Sequence, residues 1–207
     1  MGCDKTKRKT IGVCGHKDIV TSKCAINKAL ELFWNALAEE YKSSSFHLLD
    51  SLAEGGDQYV LESKPSQVSF TAVLPFAREL YEDDFETPEA KEIYRNFLNS
   101  AESVVVAGDE PGNYIHASEY LLENSDMILA LWDCVVTKGT PAPGGSYDTI
   151  SKALAKNIPV IVIPAKRKKT YPEIKQDIFP EKCVPLRLSK YPRIELEEMS
   201  KKERKEC

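Results

Sequence analysis

The sequence predicts an α/β fold: a single doubly wound domain, with a mostly parallel sheet of about six to seven strands and helices on both faces. Three observations predict it. Short apolar runs alternate along the chain with longer amphipathic segments. The runs are continuous rather than alternating, as expected for strands buried on both faces of a parallel sheet. No internal repeat and no linker divides the series.

The elements follow in order. "TIGVCG" (10–15) is β-branched and ends in glycine, the pattern of a strand. Thr21 or Ser22 can cap the next helix, where Ala25, Leu30, Phe33 and Leu37 recur at helical spacing. "FHLLDS" (46–51) is the second strand, and "LAEGGDQYVLES" runs from a loop into a helix with Asp57 placed as its N-cap. "FTAVLP" (70–75) is the third strand, stopped by Pro75. Residues 78–100 begin as loop and become helical, with Pro88 in the first turn. "SVVVAG" (103–108) is the fourth strand, "YIHASEYLLENS" a helix, and "MILALWD" (127–133) the fifth strand. "GGSYDTISKALAKN" is a helix ending near Asn157, and "PVIVIPA" (159–165) the sixth strand. "CVPLRL" adds one strand more. Right-handed crossovers through such a series give a Rossmann-like sheet. The expected organisation is a flexible basic N-terminus over 1–9, the domain over 10–190 and a charged tail over 191–207.

Composition narrows the function. Of 207 residues, 42% are hydrophobic, enough for a core, and the net charge of -4 argues against nonspecific binding to nucleic acid. No run of about 18 apolar residues marks a membrane span. The six cysteines are scattered without metal-like spacing, so neither a metal nor a further cofactor is expected, and a reducing, cytoplasmic setting fits. Cys14 and Cys134 fall in strands and read as small core residues. "MGCDKT" matches a short, common acylation pattern, but a frayed, solvated basic terminus is the better reading of it.

In an open parallel sheet, ligands bind beyond the carboxyl ends of the strands. Four of these ends carry polar or glycine-rich loops. The first holds Gly15, His16, Lys17 and Asp18; the second Ser51, Leu52, Ala53, Glu54, Gly55, Gly56 and Asp57. The third holds Phe76 and Arg78; the fifth holds Trp132 and Asp133, followed by Gly144, Gly145, Ser146, Tyr147 and Asp148. Two loops place paired glycines before a helix. Glycine lets backbone N–H groups approach a ligand, and a helix start attracts an anion, so phosphate is the natural guest. Ser146 adds a hydroxyl, and Lys17 or Arg78 a positive charge. Asp18, Asp133 and Asp148 repel phosphate; they suit ribose hydroxyls, a base edge or a cap. A nucleotide or nucleotide-derived small molecule is the expected partner.

Taken together, "GHKD … SLAEGGDQYVLE … AVLPFARELYEDDF … SDMILALWD … GGSYDTI … IPVIVI" resembles the SLOG superfamily, over about residues 10–165. That group includes the Smf/DprA DNA-processing proteins and the Lonely Guy phosphoribohydrolases. The likeness is greatest to bacterial stand-alone and effector-fused SLOG domains, some of which sense NAD-derived cyclic nucleotides in antiphage defence. It implies a Rossmann-like nucleotide site, with Gly15 and His16 in the first loop, Ser51, Glu54, Gly55 and Asp57 in the second, and Gly144, Gly145, Ser146 and Asp148 on the phosphate side. Lonely Guy enzymes carry a glutamate in "PGGxGTxxE" that serves N-glycosidic cleavage; here the string is "PGGSYDTIS", with Ser151 in its place.

Three functions remain from the sequence. The favoured one is a sensor or carrier of a nucleotide or NAD-derived ligand, with a homo-oligomer or partner supplying the output. The second is an N-glycosidic hydrolase or deoxyribosyltransferase-like enzyme, with Asp148 and Glu54, and also Asp133, as candidate carboxylates. The third is single-stranded DNA binding, for which "KRKK" (166–169) is the one dense basic run.

Overall fold

A computed structural model describes residues 7–42, 44–135, 141–168 and 186–188. The strands are β1 (Lys7–Gly15), β2 (Ser44–Asp50), β3 (Ser69–Leu74), β4 (Ser103–Val106), β5 (Met127–Trp132), β6 (Val160–Pro164) and β7 (Leu186–Leu188). The helices are α1 (Lys23–Glu40), α2 (Gly56–Ser63), α3 (Arg78–Tyr81), α4 (Pro88–Ser100), α5 (Ile115–Asn124) and α6 (Ser146–Ala155), with a 3₁₀ turn at Glu82–Asp84.

The strands form one sheet in the order β4-β3-β2-β1-β5-β6-β7. Every neighbouring pair from β4 to β6 is parallel, and β7 runs antiparallel to β6. The chain therefore winds outward from β1 to β4, returns across β1 to β5 and winds the other way. That reversal opens a crevice at the carboxyl ends of β1 and β5, where open α/β sheets hold ligands.

The continuity of the apolar strands has a direct cause in β5, all six residues of which are buried. Leu129 and Leu131 join Leu30 and Phe33 of α1 and Leu61 of α2 in one core. Ile128, Ala130 and Trp132 point the other way, into a second core with Ile150 and Ala153 of α6. A third cluster sets Leu49 and Val73 against Ala117 and Leu121 of α5. At the β4 edge, Val104 and Val106 remain 48% and 52% exposed.

Local signals act as the sequence indicates at Ser22, whose Oγ accepts from Ala25 N–H, and at Thr87, which caps α4 ahead of Pro88. Other details differ. β1 begins at Lys7 rather than Thr10, because its first residues pair with Ser44–Phe46 of β2. Of the expected "CVPLRL" strand only Leu186–Leu188 falls within the described residues, and the charged tail over 191–207 lies outside them. Asp57 is not the N-cap of α2; Gly55 is, and Asp57 lies in the first turn, 4% exposed. Cys14 is a core residue, but Cys134 stands just past β5 with φ 59°. Among the described residues no helix is long and apolar enough to cross a membrane.

Candidate functional site

The crevice between the ends of β1 and β5 is a cleft of about 470 Å³. Its floor is set by a close backbone crossing. A Cβ on Gly15 would sit 2.7 Å from the Cα of Gly56, and one on Gly56 2.7 Å from the Cα of Gly15. Gly56 N–H donates to His16 O (3.0 Å), and His16 N–H to Leu131 O (3.1 Å). Gly55, at φ +81°, lies against the carbonyls of His16 and Lys17. The glycine pair at the start of α2 thus serves backbone-to-backbone packing, and the first loop covers that helix start.

The other glycine pair is arranged differently. Gly144, at φ +73°, packs on the backbone of Tyr114. Gly145 has φ -78° and caps α6, and the first helical bond runs from Thr149 N–H to Gly145 O. The N–H groups of Ser146, Tyr147 and Asp148 therefore precede the helical ladder, at the positive end of the helix dipole and on the cleft wall. Asp148 Oδ2 accepts from Gly144 N–H (3.0 Å) and pairs with Lys152 Nζ (2.8 Å), so this carboxylate shapes the loop and the first turn.

On the same cleft, Lys17 Nζ lies 5.7 Å from the ring centroid of Tyr114. The Tyr114 hydroxyl donates to Asp84 Oδ2 (2.5 Å); burial and that acid push the phenol up to about 12. Arg167 also lines the cleft, but its Nε and Nη2 both lie 2.9 Å from Asp18 Oδ1, which pins the first loop to the segment after β6. At the end of β5, Asp133 Oδ1 accepts from Val135 N–H (3.1 Å). It also lies 3.1 Å from His16 Nε2, at ion-pair distance but without hydrogen-bond alignment. Trp132 stacks on Tyr147, with centroids 5.7 Å apart and planes 2° from parallel.

Gly15, His16, Lys17, Ser51, Ala53, Asp57, Trp132, Asp133, Gly144, Gly145, Ser146 and Asp148 all line this one cleft. Leu52, Glu54, Gly55, Phe76 and Arg78 do not. Leu52 is fully buried with φ 61°, and Phe76 packs edge-on against Tyr81 in an aromatic cluster. Arg78 is exposed at the start of α3. Tyr114, Ser118 and Thr149 line the cleft without having been singled out by sequence. Ser118 Oγ and Thr149 Oγ1, 2.8 Å apart, join α5 to α6, a pairing that only the packing of two distant helices creates. A tyrosine and a serine on the apolar "YIHASEY" helix carry no periodic signal of their own.

Beneath the cleft lie two buried acids. Asp50 ends β2, is fully buried, and accepts Leu52 N–H at Oδ1 (2.7 Å). Asp57 accepts the backbone N–H groups of Ala53 and Gly15. Burial pushes both carboxyls up, and Asp57 is pushed further by Asp50. Burial, then Asp57 and Asp50, likewise hold the Cys14 thiol neutral. Among the described residues no group of three or more His, Cys, Asp or Glu side chains is placed to hold a metal ion.

No protein-family model matches the chain, and no curated protein matches it. Solved structures similar to it include DNA processing protein A from Helicobacter pylori, at 14% identity and a TM-score of 0.49, covering 78% of this chain and 68% of that one. The Chlamydomonas Moco carrier protein is 16% identical with a TM-score of 0.44, over 76% of this chain and 77% of that one. The protein TM1055 is 16% identical with a TM-score of 0.42, over 73% of this chain and 72% of that one.

Proposed function

We propose that the chain binds a nucleotide or an NAD-derived nucleotide in the cleft between β1 and β5 and acts as its sensor or carrier. The observation that carries the reading is the start of α6: unladdered N–H groups and Ser146 on the wall of a cleft at the sheet's switch point, a cleft that Lys17 also lines. The phosphate belongs at Ser146 and the adjacent N–H groups. Asp133 holds a ribose hydroxyl or orients the loop, and the apolar wall of Trp132 and Tyr114 takes the base.

Turnover is the second reading, and the carboxylates weigh against it. Cleavage of an N-glycosidic bond needs a carboxylate free to face the anomeric carbon. Asp148 is engaged by Gly144 N–H and Lys152, Asp133 at the cleft accepts from Val135 N–H, and Glu54 does not line the cleft.

The test combines release and turnover. Mass spectrometry of small molecules freed from the denatured protein names the ligand, and calorimetry with nucleotides and NAD derivatives measures its affinity. Lys17→Ala is expected to weaken binding by about tenfold, the loss of one charge-assisted contact. Chromatography after incubation is expected to show the ligand intact. Free base released by the wild type and not by Asp148→Asn would overturn the sensor reading; no binding by any member of the panel would overturn the site itself.

A further inference from the structure

Among the described residues four phenol or indole rings line the cleft: Tyr81, Tyr114, Trp132 and Tyr147. Three of them are enclosed or engaged. Tyr81 is 1% exposed and stands edge-on to Phe76, Phe85 and Tyr94. Tyr114 has Lys17 Nζ over its ring and Phe76 packed at 5.8 Å. Trp132 ends β5, is 3% exposed and is covered by Tyr147, with the two planes 2° from parallel. Tyr147 differs from the other three. It is half-buried, and Trp132 is its ring contact among the described residues. Trp132 takes one face of the phenol, and the surface that stays open belongs to the cleft.

The ring is also held in place. Tyr147 is the second residue of α6, and Asp148 ties that first turn to Gly144 N–H. The hydroxyl pair Ser118–Thr149 ties the same turn to α5. Behind the ring, Trp132 is packed in the second core with Ile150 and Ala153. A flat surface fixed before a ligand arrives loses little freedom on binding. It stands one residue from Ser146, at the helix start that suits a phosphate, so one nucleotide reaches both.

We propose that Tyr147 is the base platform of the cleft: the ligand's base lies on the open side of the phenol, Trp132 backs it, and the base is recognised by its π surface rather than by its edge groups. The proposal rests on the nucleotide reading above and adds the residue that separates a nucleotide from a sugar phosphate. Phosphate contacts at α6 are common to both ligands. A base stacked on an aromatic side chain adds about ten- to a hundredfold in affinity.

Calorimetry on the full chain compares AMP, GMP, CMP and UMP with ribose 5-phosphate. The wild type is expected to bind the best nucleotide at least about tenfold more tightly than ribose 5-phosphate. In Tyr147→Leu that ratio should fall by about tenfold, because the nucleotide alone is weakened, and Tyr147→Phe should keep it. A merely structural role would weaken both ligands together, so an unchanged ratio in Tyr147→Leu overturns the proposal. A second measurement needs no variant that removes the ring. In wild-type NMR the Tyr147 ring protons should move upfield on adding the nucleotide and not on adding ribose 5-phosphate; no such movement overturns the proposal even where Tyr147→Leu does not fold. If none of the five compounds binds the wild type, the nucleotide reading falls and the platform with it. If nucleotides bind and Tyr147 does not respond, the platform alone falls.

Discussion

Gly56 and Gly145 look alike in sequence, each the second glycine of a pair before a helix, yet they do different physical work. A Cβ at Gly56 meets the Cα of Gly15 at 2.7 Å, and neither backbone can give without moving β1 against α2. Gly56→Ala is expected to destabilise the fold by about 1–3 kcal/mol, the usual cost of overpacking, as read by denaturant unfolding. Gly145 has φ -78°, which any residue adopts, and its Cβ would meet Ala142 alone, O at 3.1 Å and Cβ at 3.8 Å. Gly145→Val should cost about 1 kcal/mol or less, a weaker cap, while lowering nucleotide affinity in calorimetry by obstructing the helix start. Unchanged affinity in the folded variant would remove the phosphate from α6. The glycine pairs themselves were legible in the sequence. Which pair faces a ligand and which faces backbone was not, because that depends on how closely α2 approaches β1.

Across the strands, the edge of the sheet opposite the cleft carries its own polar ladder. His47 on β2 is 6% exposed. Its Nε2 lies 2.8 Å from Thr71 Oγ1 and its Nδ1 2.8 Å from Ser69 Oγ. Arg8 on β1 reaches the same Nδ1 and pairs with Glu102 Oε2 at 2.9 Å. Burial first, and then the Arg8 charge, hold the imidazole below its ordinary range. The folded His47 is therefore neutral where the unfolded one, titrating near pH 6.5, takes up a proton. Its contribution to stability is complete above about pH 6.5 and lost as pH falls, at up to about 1.4 kcal/mol per pH unit. Urea unfolding from pH 7 to pH 5 should show this decline in the wild type and not in His47→Gln, relative to each protein's value at pH 7. Because the ladder lies away from the cleft, ligand affinity should be unchanged in the variant.

At the scale of the whole molecule, strand order sets both the site and the distribution of rigidity. β1 and β5 are neighbours at the centre, with β4 and β7 at the edges. Amide exchange is expected to be slowest in β1 and β5, each paired on both sides, and fastest in β4, whose burial is low along its length. Exchange as slow in β4 as in β5 would mean that something covers that edge in solution. The cleft loops follow β1 and β5, so on this expectation the cleft is built on the most slowly exchanging strands.

The sequence by itself determined the α/β class, the six apolar strands, most helix starts and the set of loops that carry chemistry. These are local matters: apolar period, capping residues and glycine placement are written residue by residue. Only the tertiary structure decided that β1 lies beside β5, that Tyr114 and Ser118 close the cleft, and that Leu52 and Phe76 turn into the core instead. It alone decided that Asp148 is spent on Gly144 and Lys152, and that Asp50 and Asp57 are both buried. Each of these depends on the distance between segments far apart in the chain, which is set by how the helices pack on the sheet and not by any residue's neighbours in sequence.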